Sequence, residues 1–112
     1  MADSPFHLVE TSRFTITYIL GLDDDPLTIE NTDAIVTAPD GTRWSATLLT
    51  RREIDRVMDR WVTSGECAHG SYLQVQDLVI VRDPGMDSMT RALVDIFEEY
   101  GMDTDVLPKL RN

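Results

Sequence analysis

Few side chains in this sequence have a type and spacing suited to chemistry. Cys67-Ala68-His69 is the one place where a thiol and an imidazole stand close along the chain. On an extended segment, residues two apart point the same way, so a thiolate–imidazolium pair or two metal ligands could form there. Zinc takes about three or four ligands, however, and the other histidine, His7, is distant in sequence. The tripeptide therefore reads as a connector with a small thiol, and neither a metal nor a cofactor is expected. Asp23-Asp24-Asp25 lacks the alternate-position ligands and closing glutamate of a calcium loop. It reads as a solvated acidic turn ahead of Pro26, able to make electrostatic contact with a basic partner. Arg52, Arg56 and Arg60 recur every four residues on one helical surface, with Glu53 and Asp59 placed to compensate them. Arg52 and Arg56 could alternatively grip a ligand carboxylate or phosphate.

Asp95, Glu98 and Glu99, followed by Asp103 and Asp105, crowd the end of a second helical segment. Acids at a helix C-terminus oppose the macrodipole, so a face made to meet a basic surface is one explanation for them. Tyr18, Trp44 and Trp61 sit on apolar faces and read first as core. Because a buried indole needs a hydrogen-bond acceptor, they are also candidate walls of a pocket between helix and sheet. No glycine-rich phosphate loop, nucleophile elbow, zinc-protease motif or cysteine pair is present. No catalytic residue is assigned, and a binding protein is favoured over an enzyme.

These residues must be positioned by local elements that the sequence marks out. From Phe14 to Leu20, apolar residues alternate with threonine at period two, as in a half-buried strand. A second apolar segment runs from about Ile29 to Thr37. Pro39-Asp40-Gly41-Thr42 then turns the chain back into Arg43–Leu48, a hairpin signal. Thr50-Arg51-Arg52-Glu53 matches a capping box, and Ile54, Val57, Met58, Trp61 and Val62 form one apolar stripe behind it. The spacing predicts a helix over 51–64 that stops at Gly65. Ser71–Val75 reads as a short strand and Asp77–Arg82 as a central one. A second helix follows, capped by Asp87 or Ser88 and closed by Gly101.

The order predicts an α+β fold, with an antiparallel meander sheet of about five strands and two helices packed on one face. A single domain over 1–112 is expected, with 1–12 and 103–112 as extended tails. A chain of 112 residues with 42% hydrophobic and 27% charged residues can bury a core without disulfides. Twenty acids against ten bases give net charge −10. Such a chain is repelled by phosphate backbones and anionic headgroups, so neither nucleic acid nor a membrane surface is expected as partner. With no apolar run near membrane-spanning length and no signal-peptide pattern, a cytoplasmic location is expected.

From Asp40-Gly41-Thr42-Arg43-Trp44, through Thr50-Arg51-Arg52-Glu53-Ile54 and Ser64-Gly65-Glu66-Cys67, to Asp77-Leu78-Val79-Ile80-Val81, the chain resembles a group of small bacterial proteins with no assigned activity. The resemblance covers about residues 33–83 and rests on turns, caps and strand punctuation. In size and acidity the chain is also similar to immunity proteins that neutralise basic nuclease toxins. The acidic clusters give the first reading, an interaction protein that binds a basic protein partner through Asp23, Asp24, Asp25, Asp95, Glu98 and Glu99, and the resemblance to immunity proteins is in keeping with it. The alternative is a small-molecule binder or modest enzyme whose pocket is lined by Tyr18, Trp44 and Trp61 and gated by Arg52 and Arg56. Self-association as a homodimer, through an uncovered sheet face or an unpaired edge strand, is the third reading.

Overall fold

The computed structural model describes residues 5–111. Within it, the alternation read from Phe14 to Leu20 does make a strand, β2 (Thr15–Ile19), whose Ile16 and Tyr18 are buried. It is flanked by β1 (Phe6–Glu10) and β3 (Asn31–Thr37), and β3 continues through the expected hairpin into β4 (Arg43–Thr50). Ala38 N–H donates to Thr42 O at 2.8 Å across that turn, and Gly41 takes φ +91°, which the turn requires. These four strands form an antiparallel meander. Residues 6–10, read as part of a tail, belong to the sheet as β1, whereas residues 1–4 lie outside the described part.

Helix α1 (Arg51–Ser64) follows β4 directly. The Thr50 hydroxyl accepts from the Glu53 amide at 3.1 Å, which is one half of the expected capping box. Its other half is replaced, because the Thr50 amide donates to Glu30 O at 3.0 Å. Beyond Gly65 comes a short left-handed turn, α2 (Glu66–Gly70), in which Cys67, Ala68 and His69 all have positive φ. Ser71–Val75 forms no strand: Leu73 and Val75 are half-buried between exposed neighbours, so the alternation there serves a connector with no ladder partner. Strand β5 (Leu78–Val81) then joins β4 in parallel, with Thr47 opposite Leu78 and Thr50 opposite Val81. The short β6 (Lys109–Leu110) pairs with the other end of the same β4 edge, so the C-terminal segment packs back on the sheet.

Helix α3 (Met86–Tyr100) buries Met89, Leu93 and Phe97 against Phe14, Ile16, Tyr18, Val36, Trp44 and Leu48. Phe97 touches both Phe14 and Trp44, at ring-centroid distances of 5.1 and 5.0 Å. The cap of α3 differs from expectation. Gly85 precedes the helix with φ +100°, and backbone groups take the place of an Asp87 or Ser88 side chain. Met86 N–H donates to Pro26 O and Gly85 N–H to Ile29 O, both at 2.8 Å, which ties the start of α3 to the β2–β3 connection. A Cβ on Gly85 would stand 2.8 Å from Leu27 O, so only glycine permits that approach.

Candidate functional site

The β2–β3 connection, residues 20–30, is held by its own aspartates. The Gly21 amide donates to Asp24 Oδ2 at 2.7 Å and the Leu27 amide to Asp25 Oδ1 at 2.9 Å. These are the local side-chain turns that aspartate favours, and Pro26 prevents the strand from continuing. Asp23, Asp24 and Asp25 are all exposed, and none has a cation within ion-pair distance among the described residues. Leu22 and Leu27 bracket them at 90% and 79% exposure, the highest of any large apolar side chains described.

Two open clefts meet at this connection. One, of about 420 Å³, is lined by Pro5, Phe6, His7, Leu22, Asp24 and Pro26. The other, of about 260 Å³, is lined by Asp23, Asp24, Asp25, Glu30, Glu53 and Arg56 among others. Asp24 borders both. A surface with a mixed hollow that includes Phe6, Leu22 and Pro26 on one side of a carboxylate and an acidic hollow on the other can receive a cationic side chain next to a hydrophobic one.

Glu30, on the β3 side of the connection, braces the acidic cleft against α1. Its carboxylate accepts from Arg52 Nε at 3.0 Å, from the Thr50 hydroxyl at 2.8 Å and from Arg56 Nη2 at 3.1 Å. Hydrogen bonding from Arg52, then Thr50, holds its pKa down at about 2, against an ordinary value of 4.5. Arg56 also donates to Glu53 Oε1 at 3.2 Å. Arg52 and Arg56 are therefore engaged within the chain: the compensation of Arg56 by Glu53 expected from their spacing is present, and Glu30 adds a brace between α1 and the connection. A cleft of about 410 Å³ does lie beside Arg51, Arg52 and Arg82, but it also contains Glu30 and Asp55.

The aromatic residues proposed as pocket walls occupy other places. Tyr18 and Trp44 are wholly buried in the core. The Tyr18 hydroxyl pairs with Thr90 Oγ1 at 2.7 Å, and the Trp44 indole donates to Thr104 O at 3.0 Å. Burial pushes the Tyr18 pKa up to about 12. Trp61 lies half-exposed on α1, outside the core that holds the other two. Asp95, Glu98 and Glu99 are exposed on α3, but α3 begins at the β2–β3 connection and Glu98 lies about three turns further along. The acidic residues thus form two separate groups.

Cys67 and His69 sit on the left-handed turn, where residues two apart face away from each other rather than together. Among the described residues no group of three or more histidine, cysteine or acidic side chains could hold a metal ion, and no helix is long and apolar enough to cross a membrane. Sequence reasoning missed Leu22, Leu27 and Glu30. The two leucines did carry a signal: they fall outside any period, on either side of an Asp-Pro turn. Compared with known proteins, the chain matches no family model, no curated protein and no solved structure.

Proposed function

We propose that this chain is a small interaction module that captures a basic protein partner, in the manner of an inhibitor or immunity protein, with the β2–β3 connection as its docking surface. The observation that carries the reading is the placement of three uncompensated carboxylates, Asp23 to Asp25, between two leucines that are almost fully in solvent. Large apolar side chains left in water beside a charged rim are the composition of a contact surface rather than of a resting loop. A lysine or arginine of the partner enters the acidic cleft. Arg56 does not compete for those aspartates, because Glu30 and Glu53 hold it. An apolar neighbour of that cation then covers Leu22 or Leu27 and excludes water from the charge pair, which strengthens it. The net charge of −10 steers the encounter over longer range, and Asp95, Glu98 and Glu99 add to that field from the far end of α3.

Calorimetric titration with a synthetic cationic peptide of mixed lysine and leucine tests this. The triple change Asp23→Asn, Asp24→Asn, Asp25→Asn keeps the turn-forming oxygens, and it is expected to weaken binding about tenfold or more and to flatten its salt dependence. Leu22→Ser with Leu27→Ser is expected to weaken binding while leaving the salt dependence in place. Unchanged affinity in the triple variant would remove the basis of the reading.

A further inference from the structure

The outer edge of β5 has the features of a pairing surface. Thr47 N–H donates to Asp77 O at 2.9 Å. In a parallel ladder this fixes the alternation: Asp77, Val79 and Val81 turn their backbone groups toward β4, and Leu78 and Ile80 turn theirs outward. Leu78 N–H is occupied by Val75 O, and Ile80 has no such partner among the described residues. The Ile80 side chain is 55% exposed on a strand reading Leu-Val-Ile-Val. Edge strands are normally shielded by charged side chains, proline, a bulge or shortness; Leu78–Val81 carries no charge, proline or bulge and is limited only by its length of four residues.

Beside this edge, between β5 and α3, runs a groove of about 390 Å³ lined by Ile80, Arg82, Ser88, Arg91, Ala92 and Asp95, with Val81 at its base. Arg91 and Asp95 stand one turn apart on α3, yet neither forms an ion pair among the described residues. Two arginines against one aspartate make this groove locally non-acidic on a chain of net charge −10. It is a stretch of surface that another strongly acidic molecule can approach.

We infer that β5 pairs with β5 of a second copy, antiparallel about a twofold axis centred on Ile80, to give one continuous sheet through the dimer. Antiparallel pairing about Ile80 joins the outward Ile80 groups of the two copies to each other and brings the Arg82 amide of each copy to the Leu78 carbonyl of the other. The two α3 helices then lie on the same face and run antiparallel. Arg91 of each copy meets Asp95 of the other, so the pair that is unmade within one chain is made twice across the axis, as an isologous interface requires. Ala92 and Ser88 are small and leave room for the helices to approach. This dimerisation uses no residue of the β2–β3 connection and stands independently of the proposed partner binding.

Sedimentation of the full chain over about two decades of concentration tests it. A monomer–dimer equilibrium with no larger species is expected. Ile80→Lys, which sets two like charges directly opposite each other across the axis, is expected to leave only monomer, with circular dichroism confirming the fold. Arg91→Asp and Asp95→Arg are each expected to weaken the dimer about tenfold or more, and the combined swap R91D/D95R to recover it, because twofold symmetry restores both pairs. A monomer at every concentration, growth beyond dimer, or a swap no better than the single reversals would overturn the inference. Should Ile80→Lys fail to fold, the swap series decides the question alone.

Discussion

At the scale of single residues, Glu30 and Tyr18 make stability depend on pH in opposite senses, one in acid and one in base. The Glu30 carboxylate takes hydrogen bonds from Arg52, Thr50 and Arg56 that the unfolded chain does not make, so its pKa is about 2 when folded against about 4.5 when unfolded. A depressed acid contributes fully above the unfolded value, and the contribution is lost as pH falls from about 4.5 toward about 2. Urea unfolding across that window is expected to show a stability loss that Glu30→Gln makes shallower. Tyr18 behaves in the reverse sense. Its buried hydroxyl titrates near 12 rather than 10.0, so the neutral form is favoured in the fold. Stability from this group is complete below pH 10 and is lost as pH rises toward 12. Melting temperatures measured between pH 9 and 12 are expected to fall less steeply in Tyr18→Phe, which gives up about 1 kcal/mol through loss of the bond to Thr90.

At the scale of elements, the link from α1 to β5 depends on a close approach that only glycine allows. A Cβ on Gly70 would lie 2.2 Å from Met58 O of α1, at a residue whose φ is +79°. Gly41, in the β3–β4 hairpin, has φ +91° but nothing within 4 Å of the same position. Gly41→Ala should therefore cost about 1 kcal/mol for the backbone conformation alone. Gly70→Ala should cost clearly more, since α1 and the turn must also move apart; chemical denaturation of the two variants compares them directly. Elements built on local signals were legible in the sequence: the Pro39–Thr42 turn, the Thr50 cap and the Gly65 stop are all found. Elements that depend on distant partners were not. Residues 6–10 become a strand because β2 offers an edge, and β5 is parallel because α1 crosses between two strands. The Cys67–His69 segment takes positive φ throughout, which no residue type in it announces. For the site the division is the same. The Asp23–Asp25 cluster is visible in the sequence, whereas Glu30 meets Arg52 and Arg56 from 22 and 26 residues away. The exposure of Leu22 and Leu27 depends on the whole fold.

At the scale of the whole molecule, the acidity is divided. One group of carboxylates lies at the corner where β2, β3 and the start of α3 meet, another on the far half of α3, and the arginines of α1 are partly neutralised by Glu30 and Glu53 between them. In the proposed binding mode both groups add to the long-range field of the net charge of −10, and close contact is assigned to the corner with exposed leucines. This separation makes the central claim measurable in a single titration. Backbone amide NMR shifts of the full chain, followed as the lysine- and leucine-containing cationic peptide is added, are expected to move most over residues 21–28 and little over 95–99. Shifts spread evenly over all acidic segments, or largest around Asp95, Glu98 and Glu99, would contradict the assignment of the β2–β3 connection as the docking surface.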